Sequence, residues 1–350
     1  MSRLLAPLVL LVLLALPGSA SALPREFFGV MVDGPLISPD VSVDLGAEAR
    51  LMRSSGVGVA RLAMYWDGIE PRRGEFRWGP YDRQVAMLAR QRIRVLPVLI
   101  RAPAWATPDP AQATVATPPR FAPWRRFVRA AVRRYGTRGS FWRRHRGLPR
   151  TPIRQWQIWN EPTLNGYWAG RPWAPTYTRL LRAAHRTIRS TDRRAQVVTA
   201  GLTGDLDDLT AELYRAGAKG SFDALGLHPY RPNVDIVVAS LAEARNVMRR
   251  NRDRSPIIAS EVSFSSGLGR STVNYGIERT EDGQRAELVR VMRRLVAARR
   301  RIGLASVTWY TWMTYDDGGE VSWEYSGLRK LTPLGPVSKP ALDGFRRIAR

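Results

Sequence analysis

From Phe27 onward the chain alternates between short runs rich in β-branched and aromatic residues and longer stretches whose apolar residues recur at i, i+3 and i+4. The first kind reads as buried strands, and the second as helices with one apolar face turned to a core. The pattern predicts strands at 27–32, 59–65, 95–100, 154–159, 196–201, 224–227, 256–260 and 305–312. Helices are predicted near 43–54, 80–90, 123–135, 176–190, 207–216, 235–251, 283–301 and 340–348. The helical signal is clearest in RAELVRVMRRLVAARRR at 285–301, where Leu and Val form one face and arginines the other.

Eight strands alternating with eight helices, with no low-complexity linker between them, predict α/β architecture in the form of a single closed (β/α)8 barrel. An open doubly wound sheet is the alternative. Such sheets usually carry a glycine-rich phosphate turn after the first strand, whereas residues 30–35 read VMVDGP. In a barrel the segments that follow strands line the C-terminal mouth, so 102–119, 162–174 and 262–282 are the expected walls of a site. The basic run 133–150, which contains GTRGS and RRHRG, precedes the fourth strand and falls on the far face. It also lacks the lysine of a phosphate-binding loop.

The first 22 residues stand apart. Met1 to Arg3 give a short positive start, residues 4–16 are almost purely apolar, and 17–22 read PGSASA. Small residues at Ala20 and Ala22 match a signal-peptidase site, with cleavage expected after Ala22. The apolar run is shorter than the ~20 residues needed to span a bilayer, so no stable membrane anchor is expected. These features predict a signal peptide at 1–22, one catalytic domain at 23–350, and a secreted, extracellular protein.

Composition narrows the classes. Of 350 residues, 55 are Lys or Arg and 30 are Asp or Glu, giving +25 with no cysteine. A disulfide scaffold and any thiolate-ligated metal centre are excluded. Only Lys219, Lys330 and Lys339 are lysines, an arginine skew consistent with codon bias. A basic surface can attract nucleic acid, anionic lipid or acidic polysaccharide. No aromatic-interleaved RNA motif or recognition helix accompanies it, so no nucleic-acid partner is expected. Two dense blocks of charge map to the far-face run and the seventh helix, away from the mouth, and an acidic glycan is the better match for them.

Candidate chemistry sits at two strand ends. The fourth strand ends IWNEP, placing Asn160 and Glu161 at the mouth, and the seventh ends IIASEVS, placing Glu261 there. Glycosidic bonds are broken between two carboxyl groups, one protonating the leaving oxygen and one attacking or activating water. Strands four and seven lie across a barrel from each other, so both carboxylates can converge on one sugar. A lone strand-end Glu is more often a helix cap or an arginine partner; two in these positions shift the balance.

The landmarks RLAMYWDGIEP, WNEP, LHPY, SEVS and WYTW occur in that order at strands two, four, six, seven and eight. Over nearly all the chain beyond the leader, the sequence resembles clan A glycoside hydrolases, the retaining (β/α)8 group that includes cellulase-like family 5 and family 39. The resemblance implies that Glu161 is the general acid/base and Glu261 the nucleophile. It further implies that Asn160 binds the sugar 2-hydroxyl, Tyr230 contacts the nucleophile, and His228 stands near the acid/base. Trp312, with Trp309 as the alternative, would floor the reacting subsite. A phenol from Tyr230 and a cation such as Arg61 would favour the ionised form that Glu261 needs. Two departures stand out: Arg101 replaces the histidine common in family 5, and Thr163-Leu164-Asn165 follows WNEP.

Aromatic residues crowd the expected walls: Trp66, Trp105, Tyr167, Trp168, Trp173, Tyr275, Trp312 and Tyr315. Sugar C–H faces pack on such rings, and Trp66 and Trp168 are the leading candidates for contact. With three histidines and no clustered acids at ligand spacing, neither a catalytic metal nor a cofactor is expected. The expected partner is a carbohydrate substrate bound by a monomer, cleaved by double displacement. The alternative is a catalytically silent barrel that only holds polysaccharide.

Overall fold

The computed structural model describes residues 23–37 and 43–350. The 1–22 segment expected to be a signal peptide lies outside the described residues. Eight parallel strands form the central sheet: β1 (Phe28–Val32), β2 (Val59–Tyr65), β3 (Arg94–Ile100), β4 (Gln155–Ile158), β5 (Gln196–Val198), β6 (Leu225–Leu227), β7 (Ile257–Val262) and β8 (Leu304–Trp309). Their order is β5-β4-β3-β2-β1-β8-β7-β6, and parallel bridges Val198–Ala224 and Leu202–Leu227 join β5 to β6. The predicted (β/α)8 barrel is therefore the observed fold.

The outer ring consists of α1 (Leu45–Ser54), α2 (Trp66–Ile69), α3 (Gly79–Arg90), α4 (Phe121–Tyr135), α5 (Ser140–Arg144), α6 (Trp173–Thr191), α7 (Leu206–Arg215), α8 (Val234–Arg250), α9 (Glu281–Ile302) and α10 (Pro340–Ala349). Strands β1, β6 and β7 are buried along their whole length and the other five open only toward one end, as expected of a sheet covered on both faces. Helix ends carry local stop and start chemistry: Asp44 caps α1 through the Ala47 N–H, and Thr280 caps α9 through the Gly283 N–H. Gly303 ends α9 in the left-handed region at φ 71°, a conformation that costs glycine little. The main core lies between strands and helices, while Val59, Leu96, Val198, Ala224 and Ile258 fill part of the barrel interior.

One feature has no counterpart in the predicted pattern. Strands β9 (Met313–Thr314), β10 (Arg329–Thr332) and β11 (Gly335–Ser338) make a small separate sheet after β8. It is fastened by a buried ion pair, in which Lys339 Nζ meets Asp316 Oδ2 at 2.9 Å, Ser266 Oγ at 2.7 Å and the Tyr325 carbonyl at 2.8 Å. This junction fixes the loops after β7 and β8, which form one wall of the mouth.

Candidate active site

At the C-terminal ends of the strands a cleft of about 740 Å³ opens, lined by Asp33, Arg61, Asn160, Glu161, Tyr230, Glu261, Tyr310 and Trp323 among others. Its size lies in the range of small-molecule sites. The chain reaches it by a sharp turn after β4: Trp159 and Glu161 adopt φ of 69° and 40°, a region costly for residues with a Cβ. That turn aims Glu161 across the barrel. The Glu161 N–H is held by the Gly201 carbonyl at 3.2 Å, and Trp159 donates its indole N–H to the Tyr167 carbonyl at 2.6 Å.

Glu261 projects from β7 against a different set of partners. Arg61 Nη1 binds its Oε1, and the Tyr230 hydroxyl donates to its Oε2 at 2.6 Å. Arg61 is itself clamped, donating to Gln157 Oε1 at 2.7 Å and Asn160 Oδ1 at 2.8 Å. Burial alone would push the Glu261 carboxyl up, but the fields of His228 and Arg61 and the Tyr230 and Arg61 hydrogen bonds outweigh it and hold the carboxyl below its ordinary value. Tyr230, by burial first and then by the neighbouring Glu261 charge, is pushed well above the ordinary phenol value and stays a donor.

His228 completes the pair. Its Nδ1 lies 2.8 Å from Glu161 Oε1 and 3.5 Å from Glu261 Oε2, in a fully buried ring. The ring lies directly over Gly201, where a Cβ would come within 1.9 Å of Nε2. Glu161, His228 and Glu261 each offer an atom within 4.8 Å of the others, a spacing a cation could use. The Arg61 guanidinium and the Tyr230 hydroxyl already fill acceptor positions of Glu261 with donors, and the guanidinium opposes a second positive charge there.

Of the residues singled out in the sequence, Arg61, Asn160, Glu161, His228, Tyr230 and Glu261 come together at this site. Trp66, Trp168 and Trp312 do not. They are 0%, 1% and 0% exposed, and their indole N–H groups are satisfied internally by Glu70 at 2.8 Å, Thr176 at 3.0 Å and Glu48 at 2.7 Å. Trp66 stacks on Phe127, and Trp309 donates to the Ser326 carbonyl. Large rings with an inward hydrogen-bond partner are better buried than exposed, and these build the core behind the walls.

Of the aromatics expected in the walls, Tyr167 and Tyr275 do line the cleft, and further rings join them. Tyr310, directly after β8, faces the cavity, and Trp323 packs against Tyr230 at 4.4 Å and Tyr275 at 5.2 Å. Asp33 was also missed; burial, ahead of the neighbouring Glu261 charge, pushes its carboxyl up. The strand-end rule that exposed Glu161 and Glu261 applies equally to Asp33, which follows β1 immediately. Trp323 sits in a short 3-10 turn within a long loop, where no periodic pattern marks it. Asp33, Tyr310 and Trp323 also border a second depression of about 360 Å³, which extends the cleft along the barrel mouth.

No protein-family model and no curated protein matches the sequence. Solved structures do resemble the chain. A family 39 glycoside hydrolase from the gut symbiont Bacteroides cellulosilyticus WH2 superposes with TM-score 0.67 at 19% identity, over 94% of this chain and 65% of that one. A monomeric beta-xylosidase from Caulobacter crescentus CB15 gives 0.63 at 18% identity, over 92% and 67%. An intracellular xylanase from Thermoanaerobacterium saccharolyticum JW/SL-YS485 gives 0.59 at 16% identity, over 91% and 94%. The chain thus spans about two thirds of the first two proteins and nearly all of the third. At these identities the likeness establishes a shared barrel fold.

Proposed function

We propose that the protein is a secreted, retaining glycoside hydrolase that cleaves O-glycosidic bonds of a poly- or oligosaccharide with two glutamates and no cofactor. The observation that carries this reading is the pairing of two cleft carboxylates in unlike surroundings, with oxygens within 4.8 Å of each other. Retaining enzymes hold their carboxyl groups about 5 Å apart, and inverting ones need a wider gap for water. Glu261, kept ionised by Arg61 and Tyr230, is the nucleophile; Glu161, turned into the cleft and braced by His228, is the acid/base.

In the first step a Glu261 oxygen bonds to the anomeric carbon as the bond to the leaving oxygen breaks, and Glu161 gives that oxygen its proton. Water then attacks the same carbon, Glu161 takes the water proton, and the bond to Glu261 breaks. Both carboxyl groups and the anomeric configuration are restored. Asn160, with Oδ1 occupied by Arg61, offers its amide nitrogen to the sugar 2-hydroxyl. Tyr310 and Trp323 supply ring faces for the sugar. The adjoining depression gives room for more than one sugar unit, which supports a polymeric substrate. Export rests on residues 1–22, and a monomer is expected.

A 2-deoxy-2-fluoro glycoside traps the covalent intermediate, and peptide mapping should find the label on Glu261. A label on any other residue overturns the assignment. Across a panel of polysaccharides the protein should release reducing sugar. Retention of polysaccharide without release would instead identify a silent binding barrel.

A further inference from the structure

The positive charge of this protein is not spread evenly. Residues 110–191 contain 17 arginines and a single acid, Glu161, which is buried in the cleft; this sector carries 16 of the chain's net +25. It comprises α4, α5, β4 and α6, which are neighbours in the barrel wall. Thirteen of its arginines are exposed, and none of the thirteen pairs with a described carboxylate. One flank of the molecule thus carries many exposed guanidinium groups with no carboxylate partner, several of them held by backbone carbonyls.

At the lower end of this flank lies a concavity of about 310 Å³ lined by Thr137, Arg138, Arg150, Pro152, Arg154 and Arg194. These residues precede β4 and β5, so they lie at the pole opposite the cleft. Arg150 is positioned by the Thr137 carbonyl, while the guanidinium groups of Arg138, Arg154 and Arg194 make no hydrogen bond to any described residue. The nearby carboxylate, Asp192, accepts from the backbone N–H groups of Thr137 at 2.7 Å and Arg194 at 3.1 Å. It is committed to holding the loops and leaves most of the positive charge uncompensated.

We infer that this flank is a docking surface for a polyanionic polysaccharide, with the four-arginine concavity as its best-formed seat. Guanidinium forks match carboxylate, sulfate and phosphate groups two bonds at a time. A repeating anionic polymer can engage the concavity and the arginines of α4, α5 and α6 together, so weak contacts add. No aromatic side chain lines the concavity, which leaves nucleobases without a stacking partner. Of the large exposed apolar residues in the sector, Val115, Leu164 and Tyr167 line the cleft and only Phe121 lies outside it, so the flank offers little to insert into a bilayer. The choice of a glycan also rests on the reading of the cleft given above. Docking at the far pole would hold the protein on a charged matrix while the cleft stays open.

The test measures binding without turnover. The full chain is run by affinity electrophoresis against polygalacturonate and dextran sulfate, with neutral dextran, duplex DNA and phosphatidylglycerol vesicles as comparisons. Both polyanionic polysaccharides should bind and neutral dextran should not. Replacing Arg138, Arg150, Arg154 and Arg194 by Ser should weaken that binding about tenfold, the sum of four exposed charge pairs. A control of equal charge, with Arg250, Arg254, Arg293 and Arg347 replaced by Ser, should change it by about twofold or less. The milder pair R138Q/R194Q should give an intermediate loss and serves where the fourfold variant folds poorly. Equal losses in the two fourfold variants would overturn the proposal, since net charge alone would then suffice. So would the absence of binding to both polyanions, or tighter binding of DNA or vesicles with the same variant sensitivity. Because no cleavage is read, a failed glycosidase assignment and a failed docking surface give separate results.

Discussion

Replacing Gly201 by Ala tests whether His228 positions Glu161, the proposed acid/base. The added Cβ would lie 1.9, 2.3 and 2.5 Å from Nε2, Cδ2 and Cε1 of the His228 ring. Restoring ordinary contact requires a shift of about 1.5 Å, and the ring is fully buried. Moving it by that much breaks the 2.8 Å contact between Nδ1 and Glu161 Oε1. Overpacking costs about 1–3 kcal/mol, and leaving a buried hydrogen-bonding group without its partner about 1–3 kcal/mol. The variant should therefore melt several degrees lower. A misplacement of this size at a reacting group should lower kcat/KM by about 100-fold. The loss should be larger on glycosides with poor leaving groups, which in the proposed mechanism need the proton from Glu161, than on activated aryl glycosides. The double variant G201A/H228A removes the clash, so it should regain stability over G201A alone without regaining activity. Wild-type kcat/KM on poor leaving groups, or purely additive destabilisation in the double variant, would refute the reasoning.

Three further outcomes follow from the same geometry. Tyr230→Phe removes the 2.6 Å donor to Glu261, so its carboxyl titrates at higher pH; the acid limb of kcat/KM, set in the wild type by a carboxyl held below its ordinary value, should move up while the alkaline limb stays in place. An unmoved acid limb in a pH–rate profile would sink this. Trp323→Ala deletes a ring on the cleft wall and should raise KM about fivefold with kcat nearly retained, as expected for lost stacking contact. Lys339→Met strands the buried Asp316 carboxylate and should cost about 3–5 kcal/mol by denaturant melts, much of it recovered in K339M/D316N.

The barrel was legible because its strands are short, buried and β-branched while its helices keep a 3.6-residue stripe, and these two periods survive without tertiary knowledge. Helix bounds differ by only a few residues, since caps such as Asp44 and Thr280 lie where the apolar stripe begins. The eighth strand was read as 305–312, three residues too far, because the Trp309–Trp312 aromatic run continues past Trp309, where β8 stops. With β8 ending at Trp309, it is Tyr310 and not the buried Trp312 that reaches the mouth. Glu161 and Glu261 were legible because strand ends in a barrel point at one place. Arg61 and His228 came with them through motif order. The aromatic walls were legible only in part: Tyr167 and Tyr275 do line the cleft, but a tryptophan's size says only that it will be buried or used, and its hydrogen-bond partner decides which. Trp323 and the small β9–β11 sheet depend on where a long loop returns, and no local pattern encodes that, whereas Asp33 directly follows β1 and falls under the same strand-end rule as the two glutamates.

The closure between β5 and β6 has a consequence for how this protein fails. Instead of a continuous ladder, this seam rests on Leu202 receiving the His228 N–H at 2.8 Å, the Gly226 carbonyl receiving the Leu202 N–H at 3.2 Å, and a few neighbouring bonds. Gly201 on one side carries the Glu161 backbone, and His228 on the other carries its side-chain brace. A local opening of this seam would separate the two supports of Glu161, the proposed proton donor, while the other seven strand pairings remain intact. On heating or in mild denaturant, amide exchange at Leu202 and His228 should then rise together with loss of turnover, ahead of global unfolding. The seam would then act as a fuse, with activity lost before the barrel comes apart.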